Sequence, residues 1–215
     1  MAAKKRCTVI CAAPEQDLEF IGSAVRESDF LVCADGGCDV LSRIDIIPDL
    51  IIGDFDSAES NDVFPLSERI TLDTHKDDTD TMYCVKECMT RGYREFLFLG
   101  ATGGRTDHLL ANLSILLYLG NHGAHGVIRD KYNDIMMLDI GDNVINVDQG
   151  TTISVIPFGS AFAELSYKGL YYPLSHTKVT VEYPYTISNE SCGDEVVITL
   201  HSGSALLFIV NNIGG

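Results

Sequence analysis

Pro48-Asp49-Leu50-Ile51-Ile52-Gly53-Asp54-Phe55-Asp56-Ser57 joins a short apolar run to a glycine and two alternating carboxylates. Residues 50–52 read as a buried strand, because Pro, Gly and Asp bound an unbroken aliphatic core. Three further runs share this form: 7–13, 30–34 and 95–99, each rich in Val, Ile, Leu, Phe or Cys. Helical patterns alternate with them. Residues 78–92 carry Met82, Val85 and Met89 on one face, and residues 107–119 carry Leu109, Leu110, Leu113, Leu116 and Leu117. Strands alternating with helices imply a parallel α/β sheet covered on both faces, in a Rossmann-like arrangement.

After about Asp134 the rhythm changes. Residues 151–156, 178–183, 195–200 and 205–210 read as strands separated at short intervals by Gly, Pro, Asn and Ser, without helical periodicity. That pattern implies an antiparallel sandwich or barrel. The expected organisation is an α/β domain over 1–134 and an all-β domain over 135–215, with the boundary somewhere in 128–141 and no flexible linker.

The 215 residues are 46% hydrophobic, enough to bury a core. A formal charge of −16 disfavours nucleic acid or an anionic membrane surface as the main partner. Small anions remain accessible, since backbone amides and a few cations override the global field locally. Seven cysteines, an odd number without a C-x-x-C pair, point to a reducing cytoplasm. Cys84 and Cys88 lie one helical turn apart and read as apolar filling. Met1 to Arg6 are basic, yet the apolar run after them is cut short by Pro14 and Glu15, so no secretory signal is expected. No apolar run reaches the ~18 residues of a membrane span.

In a parallel sheet, ligands bind beyond the carboxyl ends of the strands. The second run leads into Asp35-Gly36-Gly37, the third into Gly53-Asp54-Phe55-Asp56-Ser57, and the next connection into Lys76-Asp77-Asp78-Thr79-Asp80. The fourth leads into Gly100-Ala101-Thr102-Gly103-Gly104-Arg105-Thr106-Asp107-His108. All four polar segments are expected on one rim. Asp54 and Asp56 alternate, so both carboxylates can face one side, as Mg²⁺ with its oxygen ligands requires. A plain turn accounts for the same residues. Asp77 and Asp80 likewise fit a capping box if the helix starts at Asp78; the functional alternative gives Lys76 the phosphates and Asp80 the metal. Gly103-Gly104-Arg105 lets backbone approach a phosphate at a helix start, with Thr106 available as N-cap. His108 and Asn112 follow on that helix. His122 and His125 read as surface residues. Neither a G-x-x-x-x-G-K-[ST] loop nor a G-x-G-x-x-G fingerprint occurs.

Taken in order, Ala34-Asp35-Gly36-Gly37, the 48–57 segment, the 76–80 segment and the 100–112 stretch resemble bacterial-type thiamine pyrophosphokinase. Lys168-Gly169-Leu170-Tyr171-Tyr172-Pro173-Leu174 and Ile187-Ser188-Asn189-Glu190 look like that family's thiamine-side motifs. The resemblance covers nearly the whole chain. It implies a cytoplasmic transferase that moves a diphosphate group from ATP to the thiamine hydroxyl with Mg²⁺, releasing AMP. It also implies an N-terminal ATP domain, a C-terminal thiamine domain and a homodimer with shared active sites. Carried over by position, Asp54, Asp56 and Asp80 would hold Mg²⁺, with Asp77 beside them and Arg105 also catalytic. Asp35, Gly36, Gly37, Lys76, Thr102, Gly103, Gly104, Arg105, His108 and Asn112 would border the nucleotide. Gly169, Leu170, Ser188 and Asn189 would border thiamine. Two departures stand out: Thr186 precedes the Ile-Ser-Asn run where members often have Gly, and the chain has no Trp, so an aromatic contact must come from Tyr or Phe.

Two rival functions fit parts of the pattern. An aspartyl-phosphate-type phosphatase would use 51–56 as a strand leading to D-x-D, although such enzymes usually place that motif on the first strand. It would also leave Gly103-Gly104-Arg105 without a role. A non-catalytic thiamine- or nucleotide-binding protein would have no need of Asp54, Asp56 and Asp80 together.

Overall fold

The computed structural model describes residues 5–14, 16–26, 28–34, 36–54, 64–73 and 77–211. Asp35, Asp56 and Lys76, all expected at the site, lie outside the described residues. Contacts divide the chain into two units, Met1–Lys131 and Tyr132–Gly215.

In chain order the first unit contains β1 (Arg6–Ile10), α1 (Leu18–Val25), β2 (Phe30–Ala34), α2 (Gly37–Arg43), β3 (Leu50–Gly53) and β4 (Glu68–Thr71). It continues with α3 (Asp80–Thr90), β5 (Glu95–Leu99), α4 (Thr106–Asn121) and β6 (His125–Arg129). Its strands lie side by side in the order β6-β5-β1-β2-β3-β4, and every pair is parallel. The chain runs outward from β1 to β4, then restarts at β5 on the other flank of β1. The order therefore reverses between β1 and β5, where strand exits part to leave a crevice.

Alternate strand residues meet opposite layers. Ile10, Leu31, Cys33, Ile51, Leu97 and Leu99 form one core with Ile21 and Val25 of α1 and Leu41 of α2. Cys7, on the other parity of β1, meets Cys88 of α3. Strands buried on both faces need no polar alternation, which explains the unbroken apolar runs.

Two helix starts differ from expectation. α3 begins at Asp80 rather than Asp78, because Thr79 is extended (φ −71°, ψ 155°) and its Oγ1 caps Met82 N at 3.2 Å. Asp77 is therefore not the cap and Asp80 is not at its third position, so the capping-box account of the two fails. Asp78 instead pairs with Lys86. In α4, Thr106 is the first helical residue and Arg105 holds the cap position without a side-chain cap bond.

The second unit contains β7 (Asn133–Met137), β8 (Gly141–Asn146), β9 (Thr152–Pro157) and β10 (Phe162–Lys168). These are followed by β11 (Thr177–Thr180), β12 (Asn189–Glu190), β13 (Glu195–Gly203) and β14 (Ala205–Val210). Two antiparallel sheets, β12-β9-β14-β7 and β11-β10-β13-β8, form a sandwich. Ile153, Val155 and Leu207 of the first interleave with Leu165, Tyr167, Val179 and Ile198 of the second in a single core. The alternation of these strands follows, since each sheet buries one face here.

Candidate active site

A cavity of about 620 Å³ opens beyond the carboxyl ends of β1, β2 and β5, at the reversal of strand order. Residues 11–14 leaving β1 form one wall. The β5 exit forms the other, and Gly36, the start of α3 and the first turns of α4 complete it. The two walls are knitted together: Cys11 N donates to Leu99 O at 2.8 Å and Ala13 N to Gly100 O at 3.0 Å.

Among the expected site residues, Gly36, Asp80, Gly103, Gly104, Arg105, His108 and Asn112 line this cavity. Gly104 (φ +63°) lies so close to Pro14 that a Cβ would stand 2.5 Å from its Cδ. A side chain there would force the walls apart. Asn112 lines the cavity while its Nδ2 pins Ala101 O at 2.8 Å. Thr102 does not line it; its hydroxyl donates to Asp130 at 2.7 Å. Gly37 is buried as the first residue of α2. Asp77 is exposed, and Asp54 is half-buried where β3 ends on the same edge of the sheet. Neither touches the cavity.

Arg105 reaches Asp107 with Nη2 at 2.6 Å and Nε at 3.1 Å. That guanidinium holds the Asp107 carboxyl down to about 2. Both side chains are about two-thirds exposed (70% and 66%), so the pair contributes little to stability and Arg105 can exchange partner for an entering anion. Cys11, in the cavity wall, has its thiol pushed up to about 12 by burial and stays protonated. It is no nucleophile at neutral pH.

A divalent metal would find hard oxygen donors in Asp54 and Asp80. Among the described residues no three His, Cys, Asp or Glu gather around one point. Magnesium is compatible with so few protein donors, because it is commonly held by one or two carboxylates together with water and phosphate oxygen, and Asp80 lines the cavity.

In the second unit, the expected thiamine-side residues fall on two adjoining segments. Leu170 is buried and bridges Ser191, and Gly169 O accepts from Cys192 N at 2.9 Å. Asn189 is buried with both ends of its amide engaged: Oδ1 accepts from Tyr172 N (3.0 Å) and Glu190 N (2.9 Å), and Nδ2 donates to Tyr172 O (2.8 Å). Ser188 (φ +55°) is exposed, and its backbone N donates to Ser154 Oγ at 2.8 Å. Thr186 uses the side chain that a glycine would lack: its hydroxyl donates to Val155 O, and its carbonyl accepts Val155 N at 2.9 Å. Tyr171 and Tyr172 stand exposed beside Asn189.

The model of the thiamin pyrophosphokinase catalytic domain family matches residues 21–128, half of the chain. The chain belongs to the thiamin pyrophosphokinase family. A second model, the family's vitamin B1 binding domain, matches residues 142–205. The thiamine pyrophosphokinase of Bacillus subtilis is 29% identical over 192 residues, covering 86% of this chain and 89% of that protein. Thiamine pyrophosphokinase 1 of rice (Oryza sativa subsp. japonica) is 26% identical, over 84% and 78% of the two chains. The crystal structure of the Bacillus subtilis protein matches with a TM-score of 0.85 at 24% identity, over 97% of this chain and 100% of that one. That of the Candida albicans thiamin pyrophosphokinase gives 0.82 at 18% identity, over 97% and 90%. These two likenesses show the fold.

The motifs missed one wall of the cavity. Residues 11–13 read as the end of the first apolar run and Pro14 as its break, and no motif singles them out, yet all four line the cavity. Their signal was the break itself, where Pro14 ends the first apolar run.

Proposed function

We propose that the protein is a thiamine diphosphokinase, which transfers a diphosphate group from ATP to the hydroxyl of thiamine and releases AMP. The observation that carries this is the cavity at the strand-order reversal, with Gly103, Gly104, Arg105 and Asp80 on its lining, inside the span of the catalytic family model. The ATP side then lies in 1–134 and the thiamine side in 135–215.

The triphosphate meets the amino ends of α3 and α4, where unpaired backbone N–H groups and the helix dipole favour negative charge. Gly103 and Gly104 let backbone approach it, and Arg105 leaves Asp107 to form bidentate bonds with phosphate oxygen. Gly36, His108 and Asn112 border the nucleotide from the cavity lining, Asp35 and Lys76 complete that border, and Gly37 and Thr102 support the loops behind it. Asp54, Asp56 and Asp80 would hold Mg²⁺, with Asp77 beside them. When bound, the ion neutralises charge on the phosphate oxygens.

Thiamine's hydroxyl oxygen bonds to the β-phosphorus as the bond from that phosphorus to the α-phosphate's bridging oxygen breaks. The hydroxyl proton passes to an aspartate, Asp77 or Asp80, and AMP departs with the bridging oxygen. Positioning supplies most of the acceleration, as in phosphoryl transfer generally. On the vitamin side Ser188 contacts the aminopyrimidine, while Gly169, Leu170 and Asn189 shape the wall. A tyrosine, Tyr171 or Tyr172, takes the aromatic place left open by the lack of Trp.

The enzyme is cytoplasmic in this reading, supported by seven cysteines that form no disulfide. Among the described residues no helix is long and apolar enough to cross a membrane. The family likeness supports a homodimer whose active sites draw on both copies. Refolding Asp54→Asn chains with chains severely disabled in the 168–170 or 188–189 region tests this, since mixed dimers regain about a quarter of full activity only if sites are shared.

The decisive assay is AMP release from ATP with and without thiamine in Mg²⁺ buffer. Stoichiometric AMP and thiamine diphosphate, strictly dependent on thiamine, is the expected result. Free phosphate from a monoester, or no thiamine dependence, overturns the reading.

A further inference from the structure

We propose that Gln16 is a positioning residue for the nucleotide, setting the shape of the two strand exits that form the cavity walls without lining the cavity itself. The inference rests on the assignment of that cavity to ATP.

Gln16 follows the β1 exit. Its Nε2 donates to the carbonyl oxygens of Cys11 (2.9 Å) and Ala13 (2.6 Å), both in the wall formed by residues 11–14. The amide also lies against the opposite wall. A Cβ at Gly100 would stand 2.6 Å from each of Gln16 Cδ, Nε2 and Oε1. Gly100 itself sits at φ +64°, accepts Ala13 N, and begins the loop that reaches Gly103 and Gly104. A single amide therefore occupies the junction of the two exits, on either side of the reversal in strand order.

The chemistry at this junction calls for an amide. Two carbonyl oxygens need donors, and one NH₂ group supplies both; a carboxylate of the same length offers none at neutral pH, and a hydrocarbon none at all. The arrangement also carries a cost. Gln16 Oε1 is buried and meets no donor among the described residues. A leucine or methionine would fill this space without that burden. An amide at such a cost points to a requirement for its two donors, which hold the bend of 11–14 against the Gly100 turn.

The experiment uses the full chain and α,β-methylene ATP, whose scissile bridge is inert. Isothermal titration gives its Kd for the unaltered chain and for Gln16→Leu, alongside the KM for thiamine and the thermal melting curve. The expected result is a Kd raised roughly tenfold by loss of two neutral hydrogen bonds, with the thiamine KM unchanged and the melting curve lowered by no more than the loss of those two bonds accounts for. Gly100→Ala, which pushes the amide aside, should raise Kd in the same direction. In a Gln16→Ala background the same substitution should add clearly less, because the two share one junction. An unchanged Kd in Gln16→Leu overturns the inference. Equal losses for both substrates with a lowered melting curve, or strictly additive effects in the Gln16/Gly100 cycle, also overturn it. If Gln16→Leu does not fold, Gln16→Asn, one methylene too short to span both carbonyls, carries the same test. Failure of the unaltered chain to bind the analogue is read before any substitution; it overturns the ATP assignment, and this inference with it.

Discussion

In the Met1–Lys131 unit most of the residues around the cavity sit on loops beyond strand ends, whereas in the Tyr132–Gly215 unit Leu170 and Asn189, two of the four residues expected at thiamine, pair with neighbouring strands. Asp80 and Arg105 stand half-buried or exposed, with side chains a ligand can reach. Asn189 and Leu170 are buried, and the Asn189 amide is spent on three bonds to backbone. A parallel sheet brings its exits to one edge by topology, so functional groups can be mounted there at little cost to the fold. A sandwich makes a binding surface out of its own strand edges and turns. Its residues therefore act through shape before they act through contact, and substitutions in the two units should fail in different ways.

The largest effect expected is on turnover. Asp80→Asn keeps the start of α3, because Thr79 supplies the cap, yet removes a carboxylate from the cavity lining. Turnover should fall about a hundredfold or more, with the melting temperature nearly unchanged. Steady-state assays across Mg²⁺ concentrations check it. Normal turnover with ordinary Mg²⁺ dependence would make Asp80 a bystander and erase the contrast.

Much of this contrast is visible in the chain itself. β2, β5 and β14 coincide with apolar runs that read as strands, because buried strands carry their signal in unbroken composition. α1 and α2, with 8 and 7 residues, are too short to display a helical period. β4, with the sequence Glu-Arg-Ile-Thr, is a half-polar edge strand. β10 alternates Phe162-Ala163-Glu164-Leu165-Ser166-Tyr167, yet its outward Glu and Ser mask the inward Ala, Leu and Tyr. The cavity was legible where motifs follow strands two and four and invisible at residues 11–14, whose contribution is mostly backbone. Asn189 was legible as a motif residue, but its role in holding Tyr172 depends on a partner 17 positions away.

A second prediction uses pH. Six of the seven cysteines are buried, all in the first unit. Burial drives the Cys11 thiol from 9.0 to about 12, and Cys84 is raised well above 9.0 by burial and neighbouring thiols. A raised folded pKa gives stability that is complete below the unfolded value and lost as pH climbs through the folded one. Above pH 9 the unfolded state sheds protons that the native state keeps, at about 1.4 kcal/mol per pH unit for each such thiol. In the second unit the corresponding group is Tyr167, whose ordinary value of 10.0 is raised by burial, so its loss begins a pH unit later. Scanning calorimetry from pH 8 to pH 11 should show stability falling from about pH 9. Cys11→Val should flatten the slope between 9 and 10, and Tyr167→Phe only that above 10. Equal effects of both variants below pH 10 would break the distinction between the cores.

Asn189→Leu should destabilise the second unit by about 3 kcal/mol, since three backbone groups lose their partner in a buried setting. The thiamine KM should rise in parallel as the 169–172 segment loosens, while the Kd of an ATP analogue stays put. Thermal melts and titrations check both. A variant that melts normally but binds thiamine poorly would make Asn189 a direct ligand rather than a clip.

The smallest effect is expected at Ser188, and it discriminates most finely. Its backbone is already fixed, because φ is +55° and its N–H is bonded to Ser154 Oγ. Its side chain is exposed, so Ser188→Ala removes a hydroxyl and disturbs little else. Alanine also tolerates this backbone conformation about as poorly as serine, so strain should not differ between the two. Loss of one neutral hydrogen bond costs on the order of 1 kcal/mol, several-fold in affinity. The thiamine KM should therefore rise several-fold, with kcat, the ATP KM and the melting temperature unchanged. Ser188→Gly relaxes the positive φ as well, and separates contact from shape: if the hydroxyl matters, glycine and alanine weaken thiamine binding alike. If glycine restores the wild-type KM, backbone shape rather than the hydroxyl governs the site, and Ser188 joins Asn189 among the residues that work by holding the strand edge.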